Sequence, residues 1–198
     1  MKKIISLLEA AEPLCTGWVG VLPTDTVYGL VVSARDTTAV DALYTLKPRE
    51  FKPGTLIAAS VDQLVELGFK RRYLSVVEQY WPGPVSVVIP AGPELAYMHL
   101  GKGSFPVRIP NHPELISLLE KTGPLLTTSA NRPDEPTVTT ITEAIEIFGD
   151  QVSFYVDGGD MSGRPPSTIL RVVDDAVEVL RQGAVHINEK GEVVSDKE

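Results

Sequence analysis

The run WVGVLPTDTVYGLVVSARD, Trp18 to Asp36, holds much of the folding logic of this 198-residue chain. WVGVLP is an apolar run bounded by Gly17 and Pro23, the pattern of a buried strand. PTDTVYGL follows as a polar loop carrying Thr24, Asp25, Thr26 and Tyr28, and LVVSA, Leu30 to Ala34, predicts a second strand. Asp36 then stands where a helix cap belongs, ahead of Val40, Leu43 and Leu46 on one helical face.

The same alternation continues on either side. Upstream, MKKIISLLEAAEPLC has the lysines of a signal n-region, but Glu9 and Glu12 interrupt the apolar run too early for an h-region, so it reads as an amphipathic helix. Downstream, TLIAA (Thr55 to Ala59) predicts a short strand, and Ser60 with Gln63 forms a capping-box signature. KRRYLSVVEQY predicts a helix stopped by WPGP, because proline lacks an amide donor and clashes with the preceding turn. VSVVIP and FPVRIP predict strands on either side of a loop, GPELAYMHLGKGS. In NHPELISLLEKTG, Pro113 suits a first helical position and Gly123 a left-handed stop. PLLTTSAN predicts a strand with a polar end, Thr140 with Glu143 caps ITEAIEIFG, and SFYVD, STILRV and AVEVLR predict closing strands. Together these predict an α/β fold: a single-domain twisted open sheet of mixed strand direction with flanking helices over residues 1–187, then a charged, frayed tail over residues 188–198.

Composition narrows the function classes. With 26 acidic against 18 basic residues the formal charge is -8, which disfavours general adhesion to nucleic acid or to an anionic membrane. A single cysteine, Cys15, rules out an internal disulfide framework and points to a reducing compartment, the cytoplasm. No apolar run approaches the roughly 18 residues of a membrane span, so a soluble protein is expected.

Several catalytic engines are missing. The chain has no G-x-x-x-x-G-K-[ST] phosphate loop, no G-x-G-x-x-G fingerprint and no G-x-S-x-G elbow. His99, His112 and His186 stand far apart, so no zinc site is expected. What remains is a set of hydroxyls and cations at strand ends, where open α/β sheets bind ligands. In LKPREFKPG, Leu46 to Gly54, Pro48, Pro53 and Gly54 hold the backbone around Lys47, Arg49 and Lys52. Cations fixed in this way suit an anion such as a polyphosphate.

The ordered motifs P-T-D-T-V-Y-G-L, Lys47-x-Arg49, W-P-G-P, V-R-I-P-x-H-P, T-S-A-N and P-S-T-I followed by V-L-R-Q-G resemble those of the YrdC-like threonylcarbamoyl-adenylate synthases, over about Gly17 to Gly183. The chain looks like the short, single-domain form of that family. The resemblance implies a YrdC-like domain that makes threonylcarbamoyl-adenylate and pyrophosphate from L-threonine, bicarbonate and ATP. A downstream transferase complex would then modify tRNA, which this chain meets only indirectly. It also implies Mg²⁺ carried on the ATP phosphates, with no protein metal site and no protein nucleophile.

By the same resemblance, Thr26, Arg108, Thr127 and Ser167 surround L-threonine, with Arg108 forking onto its carboxylate. Lys47, Arg49, Lys52, Ser104, Ser129, Asn131, Thr137 and Arg181 contact ATP, with Lys47 and Arg49 stabilising charge. Tyr28 packs beside the substrate. Two positions depart from the pattern: Glu50 replaces the usual proline after Lys-x-Arg, and no histidine lies near Ala58. The alternatives are a carbamoyl-adenylate-forming enzyme, as in the similar domain of hydrogenase-maturation proteins, and a non-catalytic double-stranded RNA-binding module. The only dense basic cluster, Lys70 to Arg72, starts a predicted helix and suits a solvated face better than an RNA groove.

Overall fold

The computed structural model describes residues 3–48, 52–173, 176–188 and 190–194. The chain opens on a two-residue strand, β1 (Ile4–Ile5), and reaches helix only at a 3-10 turn, Leu8–Ala10, and α1 (Ala11–Cys15). This corrects the amphipathic helix expected from the start of the chain. Ile4 and Ile5 pair in parallel with Tyr155 and Val156, and Ser6 then gives its amide and hydroxyl to the Glu9 carboxylate, so helix begins after Ser6. The β-branched isoleucines favour the extended choice.

β2 (Gly20–Pro23) and β3 (Tyr28–Ser33) form an antiparallel pair across the PTDTVYGL loop. α2 (Thr37–Leu46) is capped by Asp36, which accepts from the Ala39 amide at 3.0 Å. β4 (Thr55–Ile57) and α3 (Val61–Leu67) follow, and Gly68 ends α3 at a φ of 123°, where a side chain would be strained. The predicted KRR helix shrinks to α4 (Arg71–Ser75) and a 3-10 turn at Glu78–Tyr80.

Next come β5 (Val85–Pro90), α5 (Ala96–His99), β6 (Ser104–Arg108), α6 (Pro113–Thr122) and β7 (Leu125–Ser129). α5 lies where a plain loop was expected: Leu95 and Met98 bury their side chains, and Tyr44 on α2 donates to the Met98 carbonyl at 2.7 Å. α7 (Ile141–Phe148), β8 (Phe154–Val156), β9 (Thr168–Val173) and β10 (Ala176–Arg181) complete the main body. A separate antiparallel pair, β11 (His186–Ile187) with β12 (Val193–Val194), closes the described chain. Tyr80 donates to the Gly191 carbonyl within that last stretch at 2.7 Å.

Both predicted capping boxes are half formed. Ser60 accepts from the Gln63 amide, but the Gln63 side-chain oxygen takes the Ala59 amide, one residue earlier than the box requires, while its nitrogen ties α3 to the Leu119 carbonyl on α6. Glu143 likewise accepts from Thr139 rather than Thr140.

Ten strands form one sheet in the order β1-β8-β2-β3-β7-β4-β6-β5-β9-β10 among the described residues, with parallel and antiparallel neighbours mixed. It is the mixed open sheet with flanking helices that the sequence predicts. Alternate residues of the central strands enter two cores. Leu30, Val32, Leu56 and Leu126 join the larger cluster on one face; Val31, Ile57 and Leu125 meet Leu14 of α1 and Leu115, Leu118 and Leu119 of α6 on the other. Burial on both faces is why YGLVVS reads as a continuous apolar run rather than an alternation. Among the described residues no helix is long and apolar enough to cross a membrane.

Candidate active site

The α1/α6 face of the sheet changes character along its central strands. Beneath the helices it presents Val31, Ile57 and Leu125; two residues along each strand the same face presents Gly29, Thr55 and Thr127. There the helices stop, and a cavity of about 200 Å³ opens over the sheet. Two glycines make room for it. A Cβ on Gly29 would lie 2.4 Å from Thr127 Oγ1, and one on Gly54 would lie 2.7 Å from the Thr127 carbonyl. Gly54 is itself pinned, because its amide donates to the hydroxyl of Tyr44.

All four residues expected around threonine line this one cavity: Thr26, Arg108, Thr127 and Ser167. They come from the β2–β3 turn, the end of β6, β7 and the residue before β9, and each is nine-tenths or more buried. In the turn, Thr24 Oγ1 donates to the Val27 carbonyl at 2.7 Å, which uses its one proton. Its 3.1 Å contact with Thr26 Oγ1 therefore has Thr26 as donor, leaving Thr26 lone pairs on the cavity side.

Arg108 has a partner that sequence reasoning missed. Its Nη2 lies 3.0 Å from Asp25 Oδ1, with both side chains no more than 4% exposed. Burial lowers the Arg108 pKa from its ordinary value, and the Asp25 charge opposes that shift. The contact is poorly aligned: neither Asp25 Oδ1 nor Arg108 Nε makes a hydrogen bond. Arg108 Nη1 donates at 3.4 Å to Ser86 Oγ on the neighbouring strand. Asp25 was noted only as a member of a polar loop, and Ser86 only as a letter in a strand. Nothing local marks either one, since their meeting with Arg108 depends on the order of strands in the sheet.

Of the residues expected at the nucleotide, Ser129, Thr137 and Arg181 line the same cavity. The Thr137 segment is brought there by the Val138 amide donating to the Ala130 carbonyl at 2.9 Å. Arg181 directs Nε and Nη2 at the Ser167 carbonyl, at 3.1 and 2.7 Å. Gly183 allows this close approach, because a Cβ there would lie 2.2 Å from the Pro166 carbonyl oxygen.

Lys47 and Asn131 do not line the cavity but stand directly behind it. Lys47, only 5% exposed, donates Nζ to the Ser129 carbonyl at 2.6 Å, to Ser129 Oγ at 3.2 Å and to Asn131 Oδ1 at 2.7 Å. The Lys-x-Arg and Ser-x-Asn motifs are thus one cluster in space. Ser104 is absent from the lining but shares a face of β6 with Pro106 and Arg108, which line it. Lys52 is exposed beside Pro53, at the rim. Arg49 and Glu50 lie outside the described residues.

Tyr28 also lines the cavity, donating to the Gly159 carbonyl and accepting from the Gly158 amide, each at 2.8 Å. Burial raises its phenol pKa above the ordinary value. No Asp, Glu, His or Cys is among the residues lining the cavity, and no group of three or more such residues could hold a metal among the described residues.

A family model described as telomere recombination, Sua5/YciO/YrdC, matches residues 12–183. The chain is 39% identical over 172 residues to a threonylcarbamoyl-AMP synthase of Klebsiella pneumoniae, covering 81% of this chain and 87% of that protein. It is 32% identical over 194 residues to a putative threonylcarbamoyl-AMP synthase of Mycobacterium tuberculosis, covering 95% of this chain and 88% of the relative. Its fold is similar to the crystal structure of P. abyssi Sua5 complexed with L-threonine, with a TM-score of 0.80 and 28% identity, over 90% of this chain but only 54% of that one.

Proposed function

The chain belongs to the Sua5/YciO/YrdC family, and on that footing we propose that it is a threonylcarbamoyl-AMP synthase, acting on L-threonine, bicarbonate and ATP. The observation that carries this reading is the single cavity that gathers Thr26, Arg108, Thr127 and Ser167 together with Ser129, Thr137 and Arg181. Around Arg108 its polar lining suits a small hydroxylated zwitterion. Arg108 has donor capacity that Asp25 does not use, and a substrate carboxylate would engage it. Thr26, presenting lone pairs, would accept from the substrate amine or hydroxyl.

The reaction needs no group covalently attached to the protein. The threonine amine adds to bicarbonate, giving the carbamate with loss of water; a carbamate oxygen then attacks the α-phosphorus, the bond to the bridging oxygen breaks, and pyrophosphate leaves. Such a step depends on positioning and charge stabilisation. Lys47 would hold the Ser129 edge of the site rigid against the phosphates, with Arg49, Lys52 and Arg181 supplying further positive charge. Thr137 would complete the nucleotide contacts, with Asn131 holding Lys47 and Ser129 from behind the cavity and Ser104 placed along β6 beyond its lining. Magnesium, carried on the phosphates, would offset their charge. The product would pass to a transferase complex that modifies tRNA, in the cytoplasm.

The test is pyrophosphate release from purified protein given ATP, magnesium, bicarbonate and one amino acid at a time. Release that requires both L-threonine and bicarbonate is expected. Release indifferent to threonine, or stimulated by carbamoyl phosphate in its place, would overturn the assignment.

A further inference from the structure

Four buried or cavity-edge groups form a chain of hydrogen bonds, whose directions are set by the guanidinium groups at its two ends and by the geometry of the serine pair between them. Arg108 Nη1 lies 3.4 Å from Ser86 Oγ, Ser86 Oγ lies 3.0 Å from Ser167 Oγ, and Arg181 Nη2 lies 3.2 Å from Ser167 Oγ. A guanidinium can only donate, so Ser86 accepts from Arg108 and Ser167 accepts from Arg181. Ser86 then gives its one proton to Ser167. With two donors arriving, both acceptor sites of Ser167 Oγ are taken, and its own proton is committed to no partner among the described residues. Ser167 lines the cavity; Ser86, fully buried beneath it, does not.

We infer that Ser86 is a positioning residue of the reaction, acting through Ser167: it fills the Ser167 lone pair so that the hydroxyl can only donate to a ligand. The inference rests on the proposed function, since it names the group Ser167 would serve, an anionic oxygen of the amino-acid substrate. A hydroxyl free to rotate would accept from an ammonium as readily as it donates to a carboxylate. Held as a donor beside Arg108, it reads the acceptor end of a zwitterion, while Thr26 offers lone pairs to the donor end. The two ends of the substrate are thereby distinguished before it binds. Ser86 does this without touching substrate, because on β5 it sits opposite Ile169 of β9, next to Thr168 and one strand from Arg108.

The test compares wild type, Ser86→Ala, Ser86→Cys, Ser167→Ala and the Ser86→Ala/Ser167→Ala double variant, assayed by pyrophosphate release at saturating ATP and bicarbonate. Cysteine keeps the packing of Ser86 and weakens its hydrogen bonds, so it guards against a folding defect in the alanine variant. The expected result is a rise of about tenfold in KM for L-threonine in Ser86→Ala and Ser86→Cys, the size of one directed hydrogen bond, with kcat changing less than KM. Because the inference routes Ser86 through Ser167 rather than through its longer 3.4 Å contact with Arg108, the double variant is expected to be no worse than Ser167→Ala. Unchanged KM in both Ser86 variants, or Ser86 and Ser167 effects that multiply, would overturn the inference. If wild type itself releases no pyrophosphate with threonine, the functional reading fails instead. The hydrogen-bond chain is then judged by urea unfolding of the same ligand-free proteins, where non-additive losses support it and additive losses overturn it.

Discussion

Arg108 and Lys52 carry the same charge beside one cavity, yet Arg108 is sealed against Asp25 at 4% exposure while Lys52 stands exposed at the rim. The difference follows from what each is proposed to bind. A small zwitterion offers few contacts, so its site is built from groups already desolvated and held by one another: Asp25, Arg108, Ser86 and Ser167. A triphosphate brings several charges of its own, and a cation at the rim can meet it from solvent. Lys47 falls between these cases, buried like Arg108 and donating to the Ser129 carbonyl and to Asn131 Oδ1.

The strongest way to break this contrast is Arg108→Ala. It strands the Asp25 carboxylate in a buried site, so stability is expected to fall by about 3–5 kcal/mol in urea unfolding, with threonine-dependent turnover lost. Adding Asp25→Asn should recover part of that stability but none of the turnover; a loss below 1 kcal/mol would mean that the pair is not sealed as described. Lys47→Met comes next. It removes the charged hydrogen bonds to the Ser129 carbonyl and Asn131 Oδ1, and about 1–3 kcal/mol of stability is expected to go, together with a fall in kcat on the order of 30-fold. An effect confined to KM for ATP would place Lys47 with the rim cations instead.

Gly29→Ala sharpens the contrast from within the cavity. Its new methyl would press on Thr127 Oγ1, and KM for L-threonine is expected to rise about tenfold while KM for ATP stays within about twofold. The smallest effect belongs to Lys52→Ala, where KM for ATP should rise about threefold in low salt and less in 0.5 M salt, as expected of a screened surface charge. A Lys52 effect as large as that of Lys47, and insensitive to salt, would erase the distinction between buried and rim cations.

Much of the site could be read from the chain. Thr26, Arg108 and Ser167 sit in ordered motifs and Thr127 directly precedes one, and the cavity gathers all four. The strands around them were legible because their central segments are buried on both faces and bounded by proline, glycine or a capping aspartate. The first residues were misread because Lys2, Lys3, Glu9 and Glu12 fit a helical pattern, whereas the parallel partners that draw Ile4 and Ile5 into the sheet are Tyr155 and Val156, at the far end of the sequence.

Local pattern by itself determined the mixed α/β sheet, most of its elements and the residue types offered at the strand ends, because hydrophobic period, turn residues and caps act over a few positions. Only the tertiary structure decided which of those polar groups meet. Strand order sets β5 beside β6, joining Arg108 to Ser86, and the β2–β3 turn reaches Arg108 from beyond β7 and β4, joining Asp25 to it. Hydrogen bonds and ion pairs act over about 3 Å, and no spacing along the chain encodes a distance that the folding of an entire sheet creates.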